Sequence, residues 1–300
     1  MYKKYYRLKE RPFEVTPDPR FLYLSETHEE ALARLIYGID QHKGFLLLTG
    51  DVGTGKTTLL NALYRRLDGS TRIISINNPR LSVNDLYRSF YFALRFRGYY
   101  RSKVKFLRDL RSRLQESATN GQNVLLIIDE AQALPLRLLE EVRLLSNLET
   151  PTQKLLNIFL VGQPELRQNL NGFRMRALSQ RITIQYHIRP LNKEDTAAYI
   201  RNRLLVAGAV NPNLFSNKAL KLICEYSKGY PRVINILCDN ALLSGFTLGK
   251  PIVNPKIIRE CARDINLDCD NGDGGQHGYW TPAYVNHRAN GHFLSRWFGG

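Results

Sequence analysis

The chain has 300 residues, 43% of them hydrophobic, so it can bury one large core or two modest ones. Its 43 lysines and arginines against 27 acidic residues give a formal net charge of +16, which suggests a polyanionic partner: nucleic acid, a nucleotide or an acidic membrane surface. No stretch approaches the roughly 18 to 20 consecutive apolar residues of a membrane span, and the basic N-terminus lacks the apolar run of a secretory signal. The four cysteines lack metal-ligand spacing, so we expect a reducing, cytoplasmic compartment.

Five short apolar runs in the first two thirds of the chain predict the strands of a parallel sheet that is buried on both faces. The runs are 45–49, 72–76, 124–129, 157–161 and 182–186. Stretches with helical spacing of apolar residues lie between them, at 59–67, 81–94, 106–114 and 135–148. This alternation predicts a doubly wound α/β domain over residues 1–190, a five-stranded parallel sheet with helices on both faces.

After residue 190 the pattern changes to helices alone. Apolar spacing of three and four recurs at 193–207, 217–227 and 232–246, and more weakly at 254–264. We therefore predict a small all-helical lid domain over 191–267. Residues 268–300 hold 7 of the 21 glycines, 3 of the 6 histidines and both tryptophans, so we expect a flexible tail. Within this tail, the aromatic and cationic run 292–298 is typical of a docking peptide or a membrane-interface segment.

The strongest local signal is a glycine-rich loop between the first predicted strand and the first predicted helix. It reads Gly50, Asp51, Val52, Gly53, Thr54, Gly55, Lys56, Thr57 and then Thr58, and it fits the phosphate-loop pattern. Glycines let backbone N–H groups curl around a phosphate, and the N-terminus of the following helix adds partial positive charge. We expect Lys56 to reach the β- and γ-phosphates of ATP and the Thr57 hydroxyl to ligate Mg²⁺. The alternative, a chance match in a glycine-rich turn, is disfavoured by the flanking strand and helix.

Two adjacent carboxylates, Asp129 and Glu130, stand at the end of the third predicted strand. Such a pair beside an apolar strand is costly unless a cation or a catalytic task needs it. We predict that Asp129 holds the hydration shell of Mg²⁺ and that Glu130 polarises the attacking water. These roles indicate an ATP hydrolase rather than a passive nucleotide binder. A strand-end carboxylate that merely faces solvent is the alternative.

An ordered set of further motifs covers residues 1–267. It includes Pro12-Phe13, TPDPRFLYLS at 16–25, His28 with Glu30-Ala31-Leu32, DEAQ at 129–132, LEEVRLLSNLET at 139–150, LVGQPEL at 160–166, QRI at 180–182 and GYPRVIN at 229–235. In these motifs the chain resembles the ExeA/GspA-type AAA+ ATPases associated with type II secretion and related envelope export. Longer members add a membrane span and a peptidoglycan-binding periplasmic region. Because neither is visible here, we expect no role that depends on reaching the periplasm directly.

The resemblance implies roles for two residues outside the nucleotide motifs. Gln163, at the tip of the fourth predicted strand, stands where a sensor 1 residue contacts the γ-phosphate or the water. Its alternative is a strand-end amide that caps the Pro164 turn. Arg232 resembles the sensor 2 arginine, which reaches the γ-phosphate from the second domain. An exposed arginine in a first helical turn is disfavoured by the helix dipole, which favours a functional role.

The resemblance also implies a trans contact and an adenine site. Arg181 resembles an arginine finger that acts on the nucleotide of the next subunit, a group that contributes ~10³ to 10⁵ in rate. Family members often have a second arginine where this chain has Ser179, so Arg176 shares the assignment with Arg181. The N-terminal segment 1–30 is expected to wrap over the adenine, with Pro12 and Phe13 near the base. Simple packing of these two residues over the core is the alternative.

Half of the net positive charge lies in residues 87–113, which hold nine basic residues and one acid. The basic residues are Arg88, Arg95, Arg97, Arg101, Lys103, Lys105, Arg108, Arg111 and Arg113, and eight aromatic residues are interleaved with them. This composition suits nucleic acid, because bases stack on aromatic rings and phosphates pair with arginines. An acidic membrane surface or an acidic protein partner is an alternative. A further alternative is that the aromatic residues pack on the sheet and leave the cations as a solvated rim.

Taken together, the motifs and the resemblance predict a Mg²⁺-dependent AAA+ ATPase that forms a homo-oligomeric ring, most simply a hexamer. Its cycle would power or assist assembly of an envelope secretion or polysaccharide-export system, in the cytoplasm or peripherally at the inner membrane. One alternative is an ATP-dependent DNA-binding helper of the transposition-regulator type. Another is a nucleotide-gated scaffold with negligible turnover, which Glu130 disfavours.

Overall fold

The computed structural model describes residues 1–16, 18–67, 69–77, 81–96, 98, 100 and 102–267. The predicted tail at 268–300 lies outside the described residues, as do Arg97, Tyr99 and Arg101 of the basic segment. Among the described residues, no helix is long and apolar enough to cross a membrane.

A five-stranded parallel sheet organises the first two thirds of the chain, as the apolar runs predict. Its strands are β1 (Phe45–Gly50), β2 (Thr71–Ile76), β3 (Asn123–Ile128), β4 (Asn157–Gly162) and β5 (Ile182–Ile188). They lie in the order β2-β3-β4-β1-β5, and every neighbouring pair is parallel. The carboxyl ends of β1, β3 and β4 therefore lie side by side at one edge of the sheet.

Burial differs between the central and outer strands. β1 and β4 are buried at every residue and β3 at all but its first. β2 is only partly buried, and β5 alternates between half-buried and exposed residues up to its buried last residue, Ile188. The expectation that all five strands are buried on both faces was therefore wrong for β2 and β5. These two are edge strands, and each has a strand neighbour on one side only.

Helices cover both faces of the sheet, which confirms the layered architecture. They are α1 (Tyr2–Tyr5), α2 (Glu26–Asp40), α3 (Lys56–Arg66), α4 (Val83–Ala93), α5 (Lys103–Thr119), α6 (Leu136–Leu145), α7 (Pro164–Asn171) and α8 (Arg176–Ser179). Apolar residues of α2 and α3 pack with alternate residues of β1, β3 and β4 on one face. Those of α4 to α7 pack on the opposite face. The apolar pattern did not predict α1, α2, α7 and α8.

The predicted all-helical lid is confirmed. It consists of α9 (Lys193–Val206), α10 (Asn217–Ser227), α11 (Pro231–Thr247) and α12 (Pro255–Asp264). Side chains of Asn192, Ser216 and Asn254 accept hydrogen bonds from the first-turn N–H groups of α9, α10 and α12. The apolar faces of the four helices meet in one buried cluster of their own.

The N-terminal segment packs into this lid cluster. Tyr2 and Phe13 are buried there, the Tyr2 hydroxyl donates to Asp239 Oδ1 at 2.5 Å, and Phe13 meets Phe215 edge-on at 6.1 Å. Residues at the start of the predicted α/β domain thus share a core with the helices of the lid. The boundary at residue 190 stays a prediction, and Met1–Asp268 forms one compact unit.

In the basic segment, the aromatic side chains are largely structural. Tyr87, Phe90, Tyr91 and Phe106 are buried, with the Tyr87 and Phe106 rings 4.4 Å apart between α4 and α5. Phe92 is 90% exposed. The alternative in which the aromatic residues pack and the cations form a solvated rim therefore describes most of this segment, and few rings are free to stack on bases.

Candidate active site

The phosphate loop connects β1 to α3 at the carboxyl edge of the sheet. Gly53 and Gly55 have φ values of +84° and +96°, a backbone region that residues with a Cβ rarely adopt. Gly55 is also the N-cap of α3 and supplies no side-chain cap, so the first N–H groups of that helix remain available to a ligand. This arrangement is suited to bind phosphate oxygens.

The side chain of Lys56 is hydrogen-bonded within the phosphate loop. Its ammonium donates to the carbonyl oxygens of Gly50 at 2.7 Å and Asp51 at 3.0 Å, and the residue is 7% exposed. Burial lowers the pKa of Lys56, and the nearby carboxylates Glu130, Asp129 and Asp51 act in the opposite direction. Its hydrogen-bond partners among the described residues are carbonyl oxygens, which the oxygens of a phosphate can replace.

Asp129 and Thr57 meet across the neighbouring strand end. The Thr57 hydroxyl lies 3.5 Å from Asp129 Oδ2, and Asp129 Oδ1 accepts a 2.9 Å hydrogen bond from the Glu130 N–H. Burial raises the pKa of Asp129, and the Glu130 charge raises it further. A buried carboxylate with a free lone pair beside a threonine hydroxyl is the oxygen donor set that Mg²⁺ prefers, so these residues fit the predicted cation.

Glu130 is fixed by two amide side chains. Its Oε2 accepts hydrogen bonds from Gln132 Nε2 at 2.5 Å and from Gln163 Nε2 at 3.2 Å. Glu130 itself has φ 53° and ψ 35°, a left-handed conformation that is uncommon for a residue with a side chain. Of the predicted site residues, the structure brings together Lys56, Thr57, Asp129, Glu130 and Gln163.

Gln132 is a site residue to which the sequence assigned no role. Besides its bond to Glu130, its Oε1 accepts a 3.0 Å hydrogen bond from the Gln163 backbone N–H. A Cβ on Gly162 would come within 2.5 Å of that same Oε1, so the glycine leaves room for the amide. Gln132 lies two residues after Glu130, and its amide in the DEAQ motif was the available signal.

His28 supports the loop from the N-terminal segment, a second contact that sequence reasoning missed. Its Nε2 lies 3.0 Å from the Thr54 carbonyl oxygen, and its Nδ1 lies 2.6 Å from the Ser25 hydroxyl. The ring is 4% exposed, and burial lowers its pKa. These contacts fit a neutral imidazole that donates from Nε2 and accepts at Nδ1.

The lid reaches the same loop through the start of α11. Exposed Arg232 lies against Gly53, where an added Cβ would come within 3.0 Å of the Arg232 Cβ. Tyr230, the N-cap residue of α11, donates from its hydroxyl to Asp51 Oδ2 at 2.8 Å. Arg232 is thus placed on the loop side of the lid, as the sensor 2 assignment requires, and that role stays a prediction.

A cavity beside the phosphate loop lies between the N-terminal segment, α3 and the lid. Its lining includes Asp18, Pro19, Phe21, Leu22, Tyr23, His28, Gly55, Thr58, Asn61, Leu191, Tyr199, Arg203 and Pro231. The cavity is continuous with the loop through Gly55 and Thr58, the position expected for a nucleobase. Pro12 and Phe13 are placed differently from most of this lining. The Pro12 carbonyl accepts a hydrogen bond from Arg203, and Phe13 packs on Phe215, so an adenine contact by either residue stays a prediction.

Arg181 lies at the amino end of β5, the opposite edge of the sheet from its own phosphate loop. Its guanidinium donates to the Ser146 hydroxyl at 2.9 Å and to Asn147 Oδ1 at 2.5 Å, in the turn after α6. Arg176 is exposed on α8. The position of Arg181 away from the phosphate loop of its own chain is compatible with a role in trans, and the roles of Arg181 and Arg176 stay predictions.

Comparisons with known proteins agree with this geometry. A family model described as AAA domain matches residues 39–170. The chain is 45% identical over 273 residues to General secretion pathway protein A of Aeromonas hydrophila, an alignment that covers 91% of this chain and 50% of that protein. The chain therefore spans about half the length of this relative. It is also 28% identical to the ATP-dependent target DNA activator B of Escherichia phage Mu, over 75% of this chain and 67% of that protein.

The fold is similar to that of solved AAA+ structures. The crystal structure of Cdc6p from Pyrobaculum aerophilum matches with a TM-score of 0.59 and 18% identity, over 83% of this chain and 71% of that chain. At this identity the likeness concerns the fold alone. The phosphate loop, the strand-end carboxylates, the helical lid and the family model lead to one assignment: the chain contains an AAA ATPase domain, and over most of its length it is similar to General secretion pathway protein A.

Proposed function

We propose that this chain hydrolyses ATP in a Mg²⁺-dependent reaction at the loop 50–57. The observation that carries the proposal is the position of Glu130, whose carboxylate is held by Gln132 and Gln163 at the strand edge that also carries Lys56 and Asp129. A carboxylate in this place can accept a proton from a water molecule that attacks the γ-phosphate.

We assign each residue of the site a role that follows from its chemistry. Lys56 and the N–H groups at the start of α3 bind phosphate oxygens, and Gln163 orients the water or the γ-phosphate. Thr57 and Asp129 would hold Mg²⁺, which when bound neutralises charge that develops on the phosphates. Arg232 adds a second cation from the lid. Each of these groups binds or orients, and Glu130 alone moves a proton.

The test is Glu130→Gln, which keeps the shape and removes the base. We expect kcat to fall by about 10²- to 10⁴-fold, with ATP binding retained, because general base catalysis contributes on that scale. Glu116→Gln, at an exposed position of α5, is the matched control and should leave turnover unchanged. Equal, measurable rates for Glu130→Gln and the unmodified protein would mean that Glu130 is not the base, whereas background rates in both would favour the scaffold without turnover.

We further propose a ring, in which Arg181 of one subunit completes the site of the next. The position of Arg181 at the amino edge of the sheet supports this proposal. Mixing tests it: Arg181→Ala subunits keep Glu130, and Glu130→Gln subunits keep the arginine. Two inactive preparations should therefore regain turnover when mixed. Failure to regain any activity, in a mixture shown to co-assemble, would move the assignment to Arg176 or remove it.

The similarity to General secretion pathway protein A supports a role in envelope secretion or polysaccharide export, in the cytoplasm or peripherally at the inner membrane. Such a role predicts that the chain associates with a component of an export complex in an ATP-dependent way. Affinity capture of the intact chain with Glu130→Gln, which retains ATP, should enrich that component over capture in ADP. Equal recovery of the component in ATP and in ADP would contradict a role in which ATP controls the association.

The DNA-binding alternative is favoured by one comparison and one surface. The comparison is the phage Mu DNA activator, and the surface is the basic segment 87–113, in which Arg88, Arg95, Lys105, Arg108 and Arg111 are exposed. Binding to duplex DNA should then weaken steeply with salt and be lost when Arg95, Arg97 and Arg101 are neutralised. A weak affinity for DNA that these substitutions do not change would contradict the DNA-binding alternative and favour the export role.

A further inference from the structure

The motif 229–232 makes three separate contacts where the lid meets the rest of the fold. Gly229 lies so close to the linker before α9 that a Cβ there would clash with the Leu191 carbonyl, and the Leu191 N–H donates to the Gly229 carbonyl at 2.9 Å. Gly229 has φ +76°, a conformation that favours glycine. The turn before α11 is thereby fixed against the segment that joins the sheet to the lid.

The next residue of the motif carries this anchoring to the phosphate loop. Tyr230 donates to the Asp51 carboxylate at 2.8 Å, across 179 residues of sequence. Asp51 also helps to hold the loop in shape, because its carbonyl accepts hydrogen bonds from Lys56 Nζ at 3.0 Å and from the Thr54 hydroxyl at 2.9 Å. Tyr230 therefore binds the side chain of Asp51, and the backbone carbonyl of the same residue binds Lys56.

Two residues further on, Arg232 lies over Gly53 of the same loop. Tyr230 is the N-cap residue and Arg232 lies in the first turn of α11, so a rigid turn joins them. A displacement of the start of α11 away from Asp51 would therefore move both residues together. Tyrosine can hold this bond across the physiological pH range, since burial and Asp51 raise its pKa to about 12 and keep the donor proton in place.

We propose that Tyr230 is a positioning residue for ATP hydrolysis, which couples the phosphate loop to the lid through Asp51 and so sets the approach of Arg232 to the γ-phosphate. This inference rests on the proposed function of Arg232. It goes beyond that function because it assigns a role to the hydrogen bond between Tyr230 and Asp51. Through this bond, the conformation of the phosphate loop sets the position of α11 and therefore of Arg232.

The first test is Tyr230→Phe, which removes one hydroxyl and keeps the ring. We expect kcat to fall about tenfold while KM for ATP changes by less than about twofold, the pattern for an interaction that matters in the transition state. The matched control is Tyr6→Phe, which deletes a hydroxyl that donates to the Lys250 carbonyl at 3.0 Å in the lid cluster, away from the loop. A kcat for Tyr230→Phe equal to that of the unmodified protein would overturn the proposal.

The second test asks whether the tyrosine acts through the arginine. In an Arg232→Ala background, Tyr230→Phe should cause no further loss of kcat, because the residue that it positions is gone. A further tenfold loss would show that the two act independently and would overturn the coupling.

The third test has a readout that needs no turnover. Amide hydrogen exchange should increase in both 50–57 and 229–235 for Tyr230→Phe and for Asp51→Ala, and in neither for Tyr6→Phe. Exchange confined to 229–235 would mean that the bond only stabilises the lid, which contradicts the proposal. If the unmodified protein hydrolyses no ATP, the proposed function fails, and this measurement still decides whether the loop and the lid are coupled.

Discussion

Two walls flank the phosphate loop, and they are assembled differently. The strand-end wall, formed by Asp129, Glu130, Gln132 and Gln163, follows directly from β3 and β4. The lid-side wall, formed by His28, Tyr230 and Arg232, joins segments from opposite ends of the fold. The acids and amides for which we propose proton transfer and cation binding lie on the first wall. The neutral donors that contact the loop, and the lid arginine proposed to reach the γ-phosphate, lie on the second.

The difference separates chemistry from positioning. Side chains at the ends of rigid parallel strands keep their geometry whatever the lid does, because β1 and β4 are buried throughout and β3 at all but its first residue. The lid-side contacts depend instead on how α11 and α2 are docked. Variants of the strand-end wall should therefore change the catalytic rate directly, whereas variants of the lid-side wall should change the rate through the coupling of the lid to the loop, as at Tyr230, or change stability, as at His28.

The largest effect on ATP affinity should come from Lys56, which lies between the two walls. Lys56→Ala removes the only ammonium that contacts the loop carbonyls among the described residues, so ATP affinity should fall by about 100-fold or more. Titration of a fluorescent ATP analogue measures this. Lys105→Ala, at an exposed position of α5, is the control. Retained affinity in Lys56→Ala would mean that the loop N–H groups suffice and that neither wall needs the lysine.

An intermediate effect is expected at Gln132, and it tests the strand-end wall. Gln132→Ala deletes the 2.5 Å bond to Glu130 and the acceptor for the Gln163 N–H, so we expect kcat to fall about tenfold with ATP affinity unchanged. Gln115→Ala, exposed on α5, is the control for steady-state ATPase rates. A loss of ATP affinity instead of rate would place Gln132 with the positioning residues and weaken the distinction between the walls.

The smallest effect concerns pH and the lid-side wall. Burial lowers the pKa of His28 in the folded protein, so the unfolded chain binds more protons as the pH falls below the ordinary histidine pKa. Stability should therefore decrease from about pH 6.5 downward, by at most about 1.4 kcal/mol per pH unit for this one group. Urea unfolding of the unmodified protein and of His28→Gln between pH 7.5 and 5.5 would measure it.

The variant should show the shallower pH dependence. His187, whose pKa burial also lowers, contributes to both proteins and cancels in the comparison. Identical slopes would mean that the contact between His28 and Thr54 does not require a neutral ring.

Much of the strand-end wall was predictable, because its residues lie within a few positions of strong apolar runs. The loop 50–57, Asp129 and Glu130 follow directly from such runs, and a parallel sheet brings its carboxyl ends together. Gln132 was missed although it lies in the same short motif. Its role depends on a side-chain bond to the next strand, which no periodicity encodes.

The lid-side wall could not be predicted in the same way. The bonds from His28 to Thr54 and from Tyr230 to Asp51 span 26 and 179 residues, and neither follows from a local pattern. The packing of Tyr2 and Phe13 into the lid has the same cause. By contrast, α2 was foreseeable: Ala31, Leu32, Leu35 and Ile39 repeat at helical spacing and are all buried.

The left-handed backbone at Glu130 sets stability against function. A side chain in this conformation costs about 1 kcal/mol that glycine does not incur, although glycine also loses more entropy on folding. A selection for thermal resistance alone would therefore tolerate glycine at this position and discard the proposed base. A library of variants at position 130 that is screened for ATP turnover should instead retain glutamate, despite its cost in stability. Opposite outcomes of the two screens at one position would mark it as held by catalysis rather than by folding.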